Sequence, residues 1–202
     1  MQYSQIKQVI MLTLTKKYSL AEYFDREILS ETRNEYIDGE INPMTGGTPT
    51  HNRIIGNFFA ALHQAMQDKP YGVFITDQRL WIPVHKIATY PDVMVIAEPL
   101  EYQEGRKDTL VNPILIAEIL SPSTASYDRI GKFASYRTIS SFKEYLLISQ
   151  DRQYVEHFYK EGDRWIFTAY ENNTTISLAS FEVAIATSVL YNRINFESAS
   201  LE

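Results

Sequence analysis

The run Ile114-Leu-Ile-Ala-Glu-Ile-Leu-Ser-Pro-Ser-Thr124 decides how the rest of the chain is read. Apolar residues fill it except for one carboxylate, Glu118, and Ser121-Pro122-Ser123-Thr124 then closes it. An apolar run of this length ended by turn residues predicts a buried strand. A charge inside such a strand costs several kcal/mol unless it is paired or coordinated. Glu118 therefore needs either a polar cleft at the strand end or a cationic partner, and Arg129 and Lys132 are the candidates for a plain core ion pair.

Downstream, Ser126 to Ile139 reads as a helix packed through Ile130, Phe133 and Ala134, with Ser123, Thr124 and Ser126 as candidate caps. Glu144–Ser149 reads as another buried strand. Strand, helix and strand in this short a span predict a crossover and a parallel pair. Upstream, Ser19 with Glu22 forms a capping-box signature for a helix carrying Leu20, Tyr23, Phe24 and Ile28. Asp38-Gly39 is a hairpin signal, and Gly46–Pro49 reads as a loop. Ile54, Ile55, Phe58, Phe59, Leu62 and Met66 make one apolar stripe on a helix from His51 to Asp68, with Thr50 as the expected cap. Short strands are expected over Val73–Ile75, Gln78–Val84 and Tyr90–Ile96. The polar connection 98–112 follows them. A hairpin at Tyr154–Tyr170 and strands at Thr175–Leu178 and Glu182–Val189 complete the chain. The expected class is α/β (α+β), a central mixed sheet flanked by helices with antiparallel C-terminal strands. Residues 1–17 read as a leader, 18–196 as one domain and 197–202 as a tail.

The chain has 202 residues, 45% apolar and 22% charged, with 14 Tyr and 10 Phe. That is enough apolar content for a sizeable core, and the ring count favours strands. A net charge of −6 gives no general attraction to nucleic acid, although a local basic cleft or a bound metal would supply positive charge. With no cysteine, disulfides, thiolate catalysis and Cys-based zinc sites are excluded. A reducing cytoplasm fits that composition. The apolar stretch Val9–Leu14 is too short for a signal peptide or a membrane span. Ser121 and Ser123 lack a Gly-x-Ser-x-Gly elbow, which argues against a serine hydrolase.

Asp92 follows Pro91 at the head of its strand. Two strands joined by a polar excursion bring Asp92 and Glu118 to one end of a sheet, and paired carboxylates facing water are how Mg²⁺ is held. Asp128, Lys132 and Tyr136 recur every four residues and share a helix face, from which Lys132 would reach back over Glu118. His51 opens its helix. His63, His85 and His157 show no ligand spacing and read as structural. The aromatic C-terminal hairpin reads as sheet packing or a dimer surface, with a nucleic-acid stacking surface as the other reading.

Several segments together resemble one family. Tyr90-Pro91-Asp92 with Ala117-Glu118-Ile119-Leu120 resembles the PD-(D/E)xK nuclease superfamily. The finer pattern is similar to its Uma2 type of restriction-endonuclease-like proteins. It comprises Asn34-Glu35-Tyr-Ile-Asp38-Gly39-Glu40, His51, Pro91-Asp92-Val93, the run from Glu118 to Thr124, and Asp128, Lys132 and Tyr136. The resemblance covers roughly residues 18 to 190. It implies a restriction-endonuclease-like core and a divalent-metal-dependent endonuclease acting on phosphodiesters in DNA. Asp92 and Glu118 would be ligands for Mg²⁺ or Mn²⁺. Lys132, Glu40 and His51 would assist, with Asp128, Tyr136 and Glu35 supporting. Glu40 is preferred over Glu35 as the extra acid, because it borders the turn. One departure stands out: the superfamily lysine two residues after the glutamate is Leu120 here, so Lys132 must replace it. If it does not, the fold serves as a nucleic-acid-binding or assembly module without catalysis. Restriction-like enzymes cut two strands with two sites, which makes a homodimer the expected state.

Overall fold

A computed structural model describes residues 16–196. The leader assigned to residues 1–17 and the tail 197–202 thus lie outside the described residues, apart from Lys16 and Lys17. Lys17 is tied to Asp38 by a 3.1 Å ion pair.

Helix α1 (Leu20–Leu29) starts at the predicted Ser19–Glu22 capping box. Strands β1 (Asn34–Ile37) and β2 (Glu40–Pro43) join through a two-residue turn in which Asp38 and Gly39 both have positive φ. Gly39, at φ 97°, adopts at no steric cost a conformation that side chains resist. Helix α2 (Pro49–Met66) is capped by Thr48, whose side chain accepts from the His51 N–H. The expected cap was Thr50. Pro49 moves the start upstream, because its fixed φ and missing N–H suit the first helical position. Strands β3 (Tyr71–Ile75), β4 (Arg79–Ile82), β5 (Ile87–Thr89), β6 (Val93–Ala97), β7 (Thr109–Leu110) and β8 (Pro113–Leu120) follow.

The expected helix over 126–139 is shorter and irregular. Helix α3 (Ala125–Tyr127) widens into a π-turn over Asp128–Lys132 and returns to α-geometry as α4 (Phe133–Tyr136). Its inward side is only partly the expected one. Ile130 is 74% exposed and Ala134 is exposed, while Asp128, Ser135 and Tyr136 are buried. Phe133 packs on the second core as expected, and Lys132 and Tyr136 reach Glu118 from the inward side. Strands β9 (Glu144–Ser149), β10 (Val155–Glu161), β11 (Arg164–Tyr170), β12 (Thr175–Leu178) and β13 (Val183–Ala186) lead to α5 (Thr187–Leu190). The strand expected through Val189 thus ends at Ala186 and turns helical.

The central sheet has six strands in the order β11-β10-β9-β8-β6-β3. The β8–β9 pair is parallel, as the crossover predicted, and the other neighbours are antiparallel. Strand alternation sorts the side chains between two cores. Val93 and Val95, Leu115, Ala117 and Ile119, and Leu146 and Ile148 face α2 and the β12–β13 hairpin. Met94 and Ile96, Ile116 and Leu120, and Tyr145 and Leu147 face the second sheet and α4. That second sheet has the order β2-β1-β5-β4-β7. The fold is mixed α+β, with sheets flanked by helices and antiparallel C-terminal strands. Among the described residues, no helix is long and apolar enough to cross a membrane.

Phe58 of α2 is fully buried in the first core. Phe58→Ala is expected to lower stability by about 3–5 kcal/mol through lost burial and an unfilled cavity, read by urea denaturation.

Candidate active site

The alternation that fills the cores also places the two carboxylates. Glu118 shares its parity with Ile116 and Leu120, and Asp92 shares its own with Met94 and Ile96, so both belong to the same sheet face. The antiparallel register Val93–Ala117, continued by one position, sets Asp92 opposite Glu118. Asp92 lies just ahead of β6, and its Oδ2 accepts from the Ile119 N–H at 2.8 Å. The same oxygen is 3.2 Å from His51 Nε2.

Glu118 is 3% exposed. Its Oε1 accepts from the Tyr136 hydroxyl at 2.7 Å and lies 3.1 Å from Lys132 Nζ. Lys132 Nζ is also 3.1 Å from Asp128 Oδ1. The contact to Asp128 is electrostatic, because that oxygen makes no well-aligned hydrogen bond. The π-turn puts Asp128 and Lys132 on the same side of one widened turn, facing the end of β8. Such turns concentrate at functional sites. Arg129, the other candidate partner, instead forms a bidentate pair with Glu156.

The charges explain the titration behaviour. Burial pushes the Glu118 carboxyl up, and Asp92 and Asp128 add to that, while Lys132 and the Tyr136 hydroxyl work against it. Burial disfavours the Lys132 ammonium, but Glu118, Asp128, Glu35 and Asp92 outweigh it and hold the lysine charged. His51 behaves alike: burial opposes its cation, and Asp92, with Glu118 and Asp128 beyond, raises it above the ordinary range. Four carboxylates thus share one lysine and one histidine, so negative charge is in surplus.

These groups line a cavity of about 410 Å³. Glu35, Asp92, Glu118, Asp128, Lys132 and His51 are all on its wall. Glu40 is not among its lining residues; it is exposed at the head of β2. The preference for Glu40 over Glu35 is therefore corrected. In the β1–β2 register, Glu35 pairs with Asn42 and Glu40 with Ile37, so the turn carries Glu40 away. Glu35 accepts a hydrogen bond from Thr89. Tyr136 is behind the wall and acts through Glu118.

Further residues complete the walls. The loop through Gly46 and Gly47, Ser121–Thr124, Gln150, Tyr90 and Tyr127 all reach the cavity. A Cβ at Gly47 would stand 2.6 Å from His51 Nδ1, so this glycine makes room for the imidazole. Tyr90 is braced from behind. Its hydroxyl donates to Glu27 at 2.8 Å and accepts from Arg79 at 2.7 Å. The Tyr90-Pro91-Asp92 string carried a partial signal for this. The wall position of Tyr127 had none, because it depends on the π-turn. The Ser121 hydroxyl bonds only to Ser123 and Thr124 among the described residues, which is turn chemistry and not that of a nucleophile.

His157 is buried and lies 3.7 Å from Glu144, remote from the cavity lining. Trp165 of the C-terminal hairpin packs on Phe133 and Phe142.

Lys132→Met would leave Glu118 and Asp128 buried without their cation. A loss of about 3–5 kcal/mol is expected, and Lys132→Met with Glu118→Gln should recover part of it. Urea denaturation of the three proteins checks the coupling.

Comparison with known proteins agrees with this fold. The Uma2 family model, described as "Putative restriction endonuclease", matches residues 20–189. Two proteins of Synechocystis sp. are similar along most of their length. The "Uncharacterized protein sll1609" is 42% identical over 161 residues, 79% of this chain and 91% of the relative. The "Uncharacterized protein slr1290" is 30% identical over 183 residues, 89% of this chain and 94% of the relative. A crystal structure of "a putative nuclease belonging to DUF820" from Anabaena variabilis has the same fold, with a TM-score of 0.69 and 18% identity, over 86% of this chain and 97% of that one. With a family match spanning both sheets and every residue of the carboxylate–lysine cluster, the chain belongs to the Uma2 family.

Proposed function

We propose that the protein is a divalent-metal-dependent endonuclease that hydrolyses phosphodiester bonds of nucleic acid, with DNA as the expected substrate. The observation that carries this reading is the convergence of Asp92, Glu118 and Lys132 in one cavity at the end of β8. The family and the fold of its nuclease relative support it.

The residues fit a hard cation. The hydrogen bonds of Asp92 go to Oδ2 and those of Glu118 to Oε1. Asp92 Oδ1 and Glu118 Oε2 make none among the described residues. Among those residues no three His, Asp or Glu side chains form a ready-made metal cage. The two carboxylates with their unbonded oxygens suit Mg²⁺ or Mn²⁺, which needs one or two carboxylates and keeps several waters. They do not suit a closed zinc site. Surplus negative charge around Glu118 supplies the attraction. When bound, such an ion polarises a phosphodiester and makes an attacking water more acidic.

The chain's own groups do the rest. Asp92 and Glu118 would hold the ion. Lys132, fixed from both sides by Glu118 and Asp128, keeps a positive charge at the cavity wall, where negative charge develops on phosphoryl oxygens. It stands in the role vacated by Leu120, whose side chain is buried in the second core. His51 holds Asp92 in place through Oδ2. Tyr136 fixes the Glu118 oxygen that Lys132 contacts. Glu35 and Asp128 add negative charge around the lysine.

Incubation with plasmid and with oligonucleotides in Mn²⁺ tests the reading. Cleavage is expected for the wild-type chain, with a loss of about 100-fold or more for Asp92→Asn and for Lys132→Ala. Undiminished cleavage by both variants would place the chemistry elsewhere. Absence of cleavage with every divalent ion, together with absence of metal binding in calorimetry, would favour a non-catalytic module.

A homodimer is part of the proposal. Edge strand β11 exposes Ile166 and Phe167, the latter 53% exposed. It has neither a proline nor an inward charge to protect it. Sedimentation should give a dimer that Phe167→Lys converts to a monomer.

A further inference from the structure

The walls of the cavity differ in kind from its floor. The floor holds Glu35, Asp92, Glu118 and Asp128. Among the described residues, the only cation other than His51 lining it is Lys132, already committed to two carboxylates. Among the described residues, no arginine and no second lysine lines the cavity, and the chain as a whole carries −6. A protein that grips duplex nucleic acid across its backbone does so with several cations that displace counterions. This cavity offers none to spare. Its rim instead presents hydroxyls, glycines and apolar faces: Thr45, Gly46, Ser123, Met44, Pro122 and the ring of Tyr127. Its volume of about 410 Å³ falls in the range that takes a small molecule, and a nucleotide is of that size.

Tyr127 is the most specifically built of these rim groups. It is 37% exposed at the last α-helical position before the π-turn. A Cβ at Gly131 would stand 2.5 Å from its ring, so the ring lies back across that glycine and is backed by helix. Among the described residues its hydroxyl makes no hydrogen bond. Burial holds that hydroxyl protonated, and Glu35 adds to the effect. A flat, supported, half-exposed ring on the rim of an acidic pocket is the form of a stacking platform for a base.

Resting on the phosphodiesterase reading above, we infer that Tyr127 stacks an unpaired base whose neighbouring phosphate enters the carboxylate site, so that the protein selects single-stranded or frayed nucleic acid over intact duplex. Every base has a π-face, so the selection is for strandedness and not for sequence.

Fluorescence anisotropy tests this without requiring turnover. A labelled single-stranded oligonucleotide and its blunt duplex are titrated with the protein in Ca²⁺, and again in EDTA. The single strand is expected to bind at least about tenfold more tightly. Tyr127→Ala should weaken single-strand binding by about 5- to 100-fold, and Tyr127→Phe should retain it. The exposed position lets both variants fold, which thermal denaturation verifies. Equal affinity for duplex, unchanged binding by Tyr127→Ala, loss in Tyr127→Phe as large as in Tyr127→Ala, or no binding of either polymer would each overturn the inference. Cleavage in Mn²⁺ is scored separately. Single-strand preference in binding without cleavage would refute the catalytic reading and leave the stacking role standing. Cleavage with undiminished action on intact duplex would do the reverse.

Discussion

The structure depends on how one buried carboxylate is kept charged or relieved of its charge. Glu118 sits in the most buried strand of the central sheet, and its environment is assembled around it: the Lys132 ammonium, the Tyr136 hydroxyl, and an open cavity on the remaining side. A lone ion at that depth would cost several kcal/mol. Lys132 offsets this, but Asp128, Asp92 and Glu35 crowd the same lysine. The cluster is therefore not an optimised core ion pair. A core pair would be neutral overall, whereas this one keeps negative charge in excess and faces a solvent-accessible pocket. Perturbed groups arranged this way in a cleft are what functional sites look like.

Much of this was legible in the sequence, and the reasons are specific. Glu118 announced itself by interrupting an apolar run. The four-residue recurrence of Asp128, Lys132 and Tyr136 survived the π-turn, because Lys132 and Tyr136 both meet Glu118 and Asp128 pairs with Lys132. Strand, helix and strand predicted the parallel β8–β9 pair. The misses have equally local causes. Apolar counting chose Ile130, Phe133 and Ala134 as the packed side, but only Phe133 packs on the core, and Asp128, Ser135 and Tyr136 take the buried positions. Glu40 was preferred on proximity to a loop, but it lies beside the turn, two ladder positions along the same face from Glu35, and only Glu35 is on the cavity wall. The cap moved from Thr50 to Thr48 because Pro49 is an excellent first helical residue. Tyr127 could not be placed at all, since a single π-turn, invisible to periodicity, decides where its ring lies.

The two faces of the central sheet have different tasks. The face toward α2 is almost wholly apolar and anchors Phe58, Leu62 and the C-terminal hairpin. The other carries apolar residues along most of its length and ends in the carboxylates. The same strands therefore provide stability along their length and chemistry at their tips. His51 bridges the two regimes, for it belongs to the helix of the first face and binds Asp92 of the second. Gly47 permits that bridge by leaving room for the imidazole.

The pairing of Tyr136 with Glu118 spans only 18 residues of chain, and Lys132 is closer still. The Thr48–Gln150 hydrogen bond at the cavity wall, by contrast, closes a separation of 102 residues. Loop-closure entropy grows with separation, so the two contacts are formed against different entropic costs. The strand that carries the buried charge and the helix that neutralises it are a local unit, distinct from the distant N-terminal half. Asp92, His51 and Glu35 all come from that distant half. The counter-ion of the buried charge is thus local in sequence, and the rest of the cavity is supplied by the other half of the chain.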